Sequence, residues 1–417
     1  MRILQLNSGT EARLVGRRLG QDRAAYLTAQ KIVAEVRRGG DAALAKWSRK
    51  LDGVDFRRQP LWVSAREMAA ARGRVSADFL CAVAHAARNV RRVAEKQLPA
   101  ESSFEVEPGV KITQLIRPIE SIGCYTPGGR FALFSTMIMT VVPAQVAGVR
   151  RIVAVCPKAN DELLATADLL GIEHLARIGG AQAIAALAYG TRRIPRVEKI
   201  FGPGNRFVTA AKQIVSADCA IDLPAGPTEM MVLARRGNPA WIAADLVAQA
   251  EHAPDAGSYL VTSSPQLAQQ VQQEVLAQLR RLPAVNAARR SLLQTGAILV
   301  AKSWESAIAF VNRFAPEHLS LPESSRALLK QIHSAGTIFV GPLSAQSFGD
   351  YASGSNHVLP TGGWARRRGG LSSRDFIKHI SVQRIDRVGF DRLAGDTRTL
   401  AHAEGLLAHA NAVEVRR

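Results

Sequence analysis

The stretch RIVAVCPKANDELLATADLLGIEHLARIGGAQAIAALAYG, residues 151–190, decides the fold class because short strand-like runs alternate in it with longer helical runs. RIVAVC and HLARIGG are typical of buried strands, whereas DELLATADLLGI and AQAIAALAYG are typical of helices. Strands and helices that alternate in this way form βαβ units, in which a parallel sheet is covered by helices on both faces. The sequence therefore predicts an α/β fold.

The alternation continues outward from this stretch. VEKIFGPG and NRFVTAAKQIVS, residues 197–216, add another strand and helix. GSYLVTSS, GAILVAKS and AGTIFVGP, which begin at residues 257, 296 and 335, indicate a second parallel sheet, so we expect a cleft between two α/β layers. Residues 20–100 are rich in Ala, Arg and Val at helical spacing and predict helices.

The composition is that of an ordinary globular protein: 417 residues, 47% apolar and 21% charged. The N-terminal MRILQLNSGTEARLVG has no continuous apolar core of a secretory signal, so we predict a cytoplasmic protein. The cysteines have no C-x-x-C spacing, which argues against a zinc ribbon or a disulfide framework and predicts free, mostly buried thiols. They are Cys81, Cys124, Cys156 and Cys219.

One uncharged segment, FALFSTMIMTVVPAQVAGV at residues 131–149, is long enough to cross a bilayer. It contains Ser135, Thr136, Pro143 and Gln145, and no second segment resembles it. These features favour a buried helix over a membrane span.

The chain is strongly basic, with 54 Lys and Arg against 35 Asp and Glu and a formal charge of +19. Such an excess is compatible with nucleic-acid binding. The basic residues are mostly dispersed pairs, however, and the single run of three, in ARRRGG at residues 365–370, has no interleaved aromatic residues. The pattern favours a basic, solvated surface.

Three glycine-rich turns follow predicted strands, whereas the G-x-G-x-x-G dinucleotide fingerprint is absent. They are CYTPGGR (124–130), IGGAQA (178–183) and FGPGN (201–205). Any one of them is equally compatible with a simple tight βα turn and with a close approach to phosphate. Three in successive units favour a nucleotide site.

A possible acid–base pair lies in FAPEHLSL, residues 314–321, where Glu317 and His318 are adjacent. At a turn after Pro316 both side chains can point into a cleft as two separate proton-transfer groups. The same pair is equally compatible with a surface charge and a capping histidine.

A possible metal site begins with LVAQAEHAPD, residues 246–255, where Gln249 and His252 stand three apart on one helical face. Alone, such a histidine is more often a structural residue than a ligand. Asp350 lies in the polar loop FGDYASGSNHVLPT, and His409 in the C-terminal HAEGLLAHANAV. The four would supply nitrogen and oxygen donors suited to Zn²⁺, although spacing does not show that they meet.

Taken together, these segments resemble the histidinol dehydrogenases over residues 30–415. The ordered matches are GGAQAIAALAYGT, FGPGN, IDLPAGPTE, QAEHAPD, APEHL, GDYASGSNH and EGLLAHANAV. The resemblance implies a zinc enzyme that oxidises L-histidinol through L-histidinal to L-histidine with two NAD⁺. A related zinc- and NAD-dependent dehydrogenase of another small primary alcohol is the alternative, although His357 and Glu404 favour histidinol.

The resemblance also implies roles for individual residues. Glu317 and His318 would be catalytic: His318 would be the general base, and Glu317 would activate water. Thr228 stands where the family usually has serine, and it keeps the hydroxyl. The metal ligands would be Gln249, His252, Asp350 and His409; the NAD contacts Tyr125, Gln182 and Asn205; and the substrate contacts Thr228, His357 and Glu404, besides His318 and the metal ligands.

The implied architecture has two incomplete Rossmann-like domains and two small arms. The expected divisions are an N-terminal arm at 1–19, a first domain at 20–124 and 229–371, an NAD-binding second domain at 125–228, and a C-terminal arm at 372–417. In a homodimer that arm would complete the neighbouring subunit's site, so that Glu404 and His409 act in trans. The strong basic charge departs from what we expect of the family.

Overall fold

The computed structural model describes residues 1–19, 22–128, 132–223, 226–283, 285–323 and 325–417. For residues 17 and 19 it describes the backbone alone. Two predicted motifs are therefore covered only in part. Gly129 and Arg130 of CYTPGGR, and Pro224 and Ala225 of IDLPAGPTE, lie outside the described residues.

The strands, in chain order, are β1 (Arg2–Gln5), β2 (Ser102–Glu107), β3 (Val110–Pro118), β4 (Ser121–Tyr125), β5 (Arg151–Val155), β6 (His174–Ala176), β7 (Lys199–Phe201), β8 (Ala220–Ile221), β9 (Glu229–Leu233), β10 (Gly257–Thr262), β11 (Ala297–Val300), β12 (His318–Leu321), β13 (Thr337–Val340) and β14 (Ile377–Ile385). The helices are α1 (Ser8–Leu19), α2 (Arg23–Trp47), α3 (Ala65–Arg72), α4 (Ala77–Gln97), α5 (Phe134–Ala147), α6 (Asp161–Leu169), α7 (Gly180–Tyr189), α8 (Arg206–Val215), α9 (Pro239–Ala250), α10 (Pro265–Arg281), α11 (Ala288–Gln294), α12 (Trp304–Phe314), α13 (Arg326–Leu329), α14 (Gln346–Tyr351), α15 (Arg387–Ala403) and α16 (Leu407–Glu414).

The large sheet is parallel, with the strand order β1-β11-β10-β9-β12-β13 in the described chain. Its central strands β9, β10 and β11 are buried along their whole length, as expected of strands covered on both faces. Helices α9, α10 and α11 pack on one face, and α1 and α12 pack on the other. Residues 1–19, which we predicted to form an arm, instead supply the edge strand β1 and helix α1 to this layer.

The small sheet is also parallel, in the order β6-β5-β4-β7-β8. Helix α2 packs with α7 and α8, while α3 and α4 pack with α5 and α6. The expected grouping of residues 20–124 with residues 229–371 therefore differs from the observed packing. The reason is physical: the apolar faces of α2 to α4 are buried against the small sheet's helices.

A third sheet, the arm sheet, was not anticipated from the sequence. It is antiparallel, in the order β14-β3-β2, and it pairs β14 with β3 from Ile377↔Pro118 to Ile385↔Val110. Helices α15 and α16 follow β14, pack on each other, and leave most of their residues exposed. This C-terminal segment therefore has its own small framework.

Several sequence predictions are confirmed. The fold is α/β with two parallel sheets, and the uncharged segment forms the buried helix α5. In the described part of the chain, no helix is long and apolar enough to cross a membrane. All four cysteines are free, and three of them are buried.

Candidate active site

A cavity lies where the carboxyl ends of the small sheet face the amino ends of the large sheet. Its lining includes Gly202 and Asp222 on the small-sheet side and Thr228 and Glu317 on the large-sheet side, with His357 between them. Ligands of open α/β sheets usually lie beyond the carboxyl ends of the strands. Here only the small sheet obeys that rule, because Thr228 precedes β9 and Glu317 precedes β12.

Glu317 enters the cavity through a sharp turn. Helix α12 ends at Ala315 in a left-handed conformation (φ 53°), and the chain then runs through Pro316 into β12. Glu317 is 5% exposed, and its Oε2 accepts hydrogen bonds from Thr228 Oγ1 at 2.6 Å and from the N–H of Glu229 at 2.8 Å. Burial alone would raise the pKa of Glu317, but neighbouring His318 and these hydrogen bonds outweigh it and hold the pKa below its usual value.

His318 is the first residue of β12 and is 4% exposed. Its Nδ1 lies 3.3 Å from the carbonyl O of Glu229 and 3.5 Å from Glu317 Oε2, and its Nε2 lies 3.7 Å from Asp350 Oδ1. Since a carbonyl only accepts, Nδ1 carries the proton and Nε2 is left as the basic nitrogen. Burial would lower the pKa of His318, but the two carboxylates and the carbonyl raise it above its ordinary value.

These contacts decide between the two interpretations of the Glu317 and His318 motif. A surface charge with a capping histidine is wrong, because both side chains are buried. The two side chains lie side by side, because both contact the backbone of Glu229. Glu317 Oε2 accepts from its N–H, and His318 Nδ1 faces its carbonyl O.

Gln249, near the C-terminal end of α9, continues this cluster on its other side. It is fully buried; its Nε2 donates to Thr228 Oγ1 at 2.9 Å, and its Oε1 accepts from Gln346 Nε2 at 2.7 Å. The same Gln346 nitrogen lies 3.2 Å from Asp350 Oδ2. Gln346 therefore bridges two of the predicted metal ligands, Gln249 and Asp350.

Two further histidines, His252 and His357, lie near His318 and Asp350. His252 lies just beyond the end of α9, is exposed, and has Nδ1 3.3 Å from the carbonyl O of Gln249, which leaves Nε2 as the basic nitrogen. His357 Nδ1 lies 2.8 Å from the carbonyl O of Asp350, and its Nε2 lies 3.1 Å from Thr136 Oγ1. Burial lowers the pKa of His357 despite the nearby Asp350, and His318 and His252 lower it further.

Glu404 and His409 are not brought to the cavity within one chain. Glu404 ends α15 and His409 lies on α16, and both are exposed. Their helices contact each other and β14. The structure thus places the other ten predicted site residues on the strands, helices and loops around the two parallel sheets and leaves these two on the arm.

The residues near Gln249 can be tested as a metal site. Among the described residues, no group of three or more His, Cys, Asp or Glu side chains is arranged to hold a metal ion. Gln249, His252 and Asp350 nevertheless provide the nitrogen and oxygen donors that zinc accepts. Gln346 Oε1 is also buried without a hydrogen-bond partner beside them. The donor set fits zinc as an incomplete site that needs a further ligand.

Comparison with known proteins identifies the family. The family model described as histidinol dehydrogenase matches residues 17–417. A histidinol dehydrogenase of Methanothermobacter thermautotrophicus is 44% identical over 392 residues, covering 92% of each chain, and one of Escherichia coli K12 is 42% identical over 395 residues, covering 93% of this chain and 90% of the relative. The chain belongs to the histidinol dehydrogenase family. A crystal structure of histidinol dehydrogenase from Elizabethkingia anophelis has a TM-score of 0.94 at 38% identity, covering 100% of this chain and 98% of that one.

Family membership confirms the resemblance inferred from the ordered motifs. The glycine turns of the small sheet carry the three residues that were predicted to contact NAD. Tyr125 ends β4, and its hydroxyl accepts from the N–H of Gly180 at 3.1 Å. Gln182, on the same turn, is fully buried, and its Nε2 donates to Asp52 Oδ2 at 2.8 Å. Burial raises the pKa of Asp52 to about 6. Asn205 is exposed and caps α8 through the N–H groups of residues 207 and 208.

The FGPGN turn is held by a buried ion pair. Lys212 Nζ donates to Asp222 and, at 2.9 Å, to the carbonyl O of Gly202, while Asp222 Oδ2 accepts from the N–H of Gly202 at 2.8 Å. Gly202 has φ 114°, and a Cβ there would lie 2.1 Å from the carbonyl O of Tyr125. Only glycine fits this position, so the ion pair fixes a turn that packs directly on the end of β4.

Sequence reasoning missed three residues that hold the site together: Gln346, Glu229 and Arg18. Gln346 stands four residues before Asp350, a helical spacing that was visible in the sequence. Glu229 follows Thr228 directly. Arg18 is 211 residues from its partner Glu229, and no local pattern indicates that contact.

Proposed function

We propose that the chain oxidises L-histidinol through L-histidinal to L-histidine with two NAD⁺, as part of histidine biosynthesis in the cytoplasm. Membership of the histidinol dehydrogenase family supports this function. The observation that carries it is the buried contact between Glu317 and His318 beside the amide of Gln249. A polar cluster of this kind is costly to bury unless its groups are paired, so its position at the cavity favours a chemical role.

His318 is proposed as the general base. With Nδ1–H directed at the carbonyl of Glu229, Nε2 can accept the proton of the substrate alcohol. Glu317 and Asp350 stabilise the imidazolium that forms, because both carboxylates lie beside the ring. NAD⁺, when bound, would accept a hydride from the substrate carbon in each of the two oxidations.

Glu317 is proposed to activate water for attack on the aldehyde. The described contacts engage its Oε2, through Thr228 and the N–H of Glu229, and so leave Oε1 for a water molecule. The low pKa keeps the carboxyl ionised, as a general base requires. In the second oxidation His318, after releasing its first proton to solvent, would accept a hydroxyl proton from the hydrated aldehyde as the carbon gives up its hydride.

Zinc, when bound, would hold the imidazole and amine of histidinol and so orient its carbinol carbon. The proposed ligands are Gln249, His252 and Asp350 of one chain and His409 of a second copy. The side-chain amide of Gln346 donates to both Gln249 and Asp350 and so fixes their orientation. Residues that contact metal ligands from outside usually have this role.

The proposed homodimer accounts for two exposed apolar surfaces. Phe348 and Tyr351, on the helix that carries Asp350, are 58% and 55% exposed. On the arm, Leu400 and Leu407, beside Glu404 and His409, are 66% and 65% exposed. Burying such side chains is favourable, so each surface gains if the arm of one copy covers α14 of the other.

The remaining contacts are proposed by residue. Tyr125 and Asn205 would contact NAD in residues 125–228. Gln182, the third residue proposed for NAD, is fully buried and would support the glycine turn from behind. Thr228 and His357 would contact the substrate, together with Glu404 of the second copy. A basic solvated surface remains our interpretation of the charge, with no membrane or nucleic-acid partner.

The function is tested by following the formation of NADH while the purified protein acts on L-histidinol, with and without a chelator. We expect about two NADH per histidinol and one zinc per subunit, loss of activity on chelation, and recovery with Zn²⁺. NADH formation from another small primary alcohol but not from histidinol would support the alternative substrate. Full turnover in verified metal-free protein would refute the zinc assignment.

A further inference from the structure

Arg18, on the last turn of α1, lies behind the site and is almost completely buried. Its Nε donates to Glu229 Oε2 at 2.7 Å and its Nη2 donates to the other carboxylate oxygen, so the two side chains form a bidentate ion pair. Arg18 Nη1 donates to the carbonyl O of Phe314, and Nη2 lies 3.3 Å from the carbonyl O of Ala315. The guanidinium carbon is 3.6 Å from the centre of the Phe314 ring.

These contacts join the two chain segments that carry the reacting groups. Glu229 begins β9; its N–H binds Glu317 Oε2, and its carbonyl faces His318 Nδ1. Phe314 and Ala315 form the turn that leads into the Glu317–His318 pair. Among the residues that the structure describes, Ala315 is the only non-glycine residue with a positive φ. A left-handed alanine is sparsely populated by itself and persists where its surroundings hold it. Arg18 binds the carbonyl of that alanine.

Arginine suits this position for chemical reasons. Its planar guanidinium can bind a carboxylate through two hydrogen bonds and still donate to carbonyls, whereas lysine offers a single point charge. A buried carboxylate also needs a partner: burial raises the pKa of Glu229 to about 7 even with Arg18 beside it. Arg18 therefore fixes both the carboxylate and the turn.

We propose that Arg18 is a positioning residue for the oxidation, acting through the distance between the start of β9 and the turn at residues 314–317. By holding both segments, it keeps Glu317 Oε2 and His318 Nδ1 on their partners. This inference rests on the proposed function, and it assigns the N-terminal helix a part in the site. A misplacement of about 1 Å in such a group lowers rates by about 10²-fold.

The test compares Arg18→Met with Arg13→Met, a change at an exposed arginine of the same helix. For each variant, kcat is measured on histidinol and on histidinal and is expressed per bound zinc, with KM and the unfolding temperature alongside. We expect Arg18→Met to lower kcat per zinc by about 10²-fold on both substrates with KM little changed, because most of the proposed substrate contacts lie outside the two segments that Arg18 holds. Arg13→Met should match the parent chain.

Two further variants separate position from charge and from folding. Arg18→Lys retains the charge and should show a smaller decrease, and it decides the question if Arg18→Met does not fold. Arg18→Met combined with Glu229→Gln removes both charges and should not recover, since the carbonyls of the turn remain unbound.

Several results would overturn the proposal. They are parent-like kcat per zinc in folded Arg18→Met or Arg18→Lys, a loss of activity explained wholly by a loss of zinc-loaded protein, and recovery in the double variant. If the parent chain forms no NADH from histidinol, the proposed function fails and the role of Arg18 with it. If the parent is active and the variants match it, only the role of Arg18 fails.

Discussion

The cavity and the C-terminal arm both carry residues expected to act on the same substrate, yet they hold them in opposite ways. Glu317 and His318 are 5% and 4% exposed, and each is fixed by the backbone of Glu229. Glu404 and His409 lie exposed on helices that contact mainly each other and the arm sheet. The groups proposed for proton transfer are thus built into the core, whereas the groups proposed to act in a second copy lie exposed on the arm.

The cavity region and the arm should also differ in how strongly a single substitution destabilises the folded chain. Around the cavity, polar side chains form a continuous series of hydrogen bonds. Gln346 donates to Gln249, Gln249 donates to Thr228, and Thr228 donates to Glu317. Removing one member leaves its neighbour buried without a partner. The arm depends instead on the pairing of β14 with β3 and on exposed contacts, so single changes there should be tolerated by the folded chain.

The largest effect is expected at the centre of the buried cluster. His318→Asn should slow both oxidations by about 10²–10⁴-fold, the usual contribution of a general base. The measurement is kcat on histidinol and on histidinal separately. His333→Asn, a change at an exposed histidine outside the cavity, is the matched control and should leave both rates unchanged. A loss below about tenfold in folded, zinc-loaded His318→Asn protein would exclude the base role.

The contrast in stability is tested by one buried and one exposed ion pair. Lys212→Met leaves Asp222 buried without its partner, and it should lower the free energy of unfolding by about 3–5 kcal/mol. In the arm, Arg398 lies 2.9 Å from Glu414 with both side chains partly exposed. Arg398→Met should cost at most about 1 kcal/mol. Denaturant unfolding of each variant measures both, and similar losses would remove the distinction drawn here.

A smaller and more selective effect is expected at Glu317. Glu317→Gln keeps an oxygen acceptor for Thr228 and Glu229 but cannot take a proton from water, so it should impair histidinal oxidation more than histidinol oxidation. Single-turnover rates from each substrate measure the two steps. Equal losses in both would contradict this division of labour between Glu317 and His318.

The sequence predicted the parallel layers well because strands such as β5 are short and mostly apolar, and helices such as α7 are apolar and bounded by glycine. Its ordered motifs predicted candidate site residues, and the structure brings four of them together: Glu317, His318, Gln249 and Asp350. It did not predict the arm sheet, since β14 is mostly exposed, β3 is mostly half-buried, and the two strands lie far apart in the chain. Arg18 was missed for a related reason: its contacts with Glu229 and the turn at Ala315 depend on tertiary packing alone.

In the proposed homodimer, each site is completed by residues of both chains. We would prepare His252→Ala and His409→Ala chains, each nearly inactive alone because every site in either homodimer lacks a ligand. In a confirmed heterodimer made by co-expression, one site would combine His252 and His409 from different chains, and the other would lack both. We predict that about half of the parent activity and one zinc per dimer return, as one intact site in two requires. A heterodimer that regains neither would contradict the shared site, because ligation within one chain leaves every site short of one histidine.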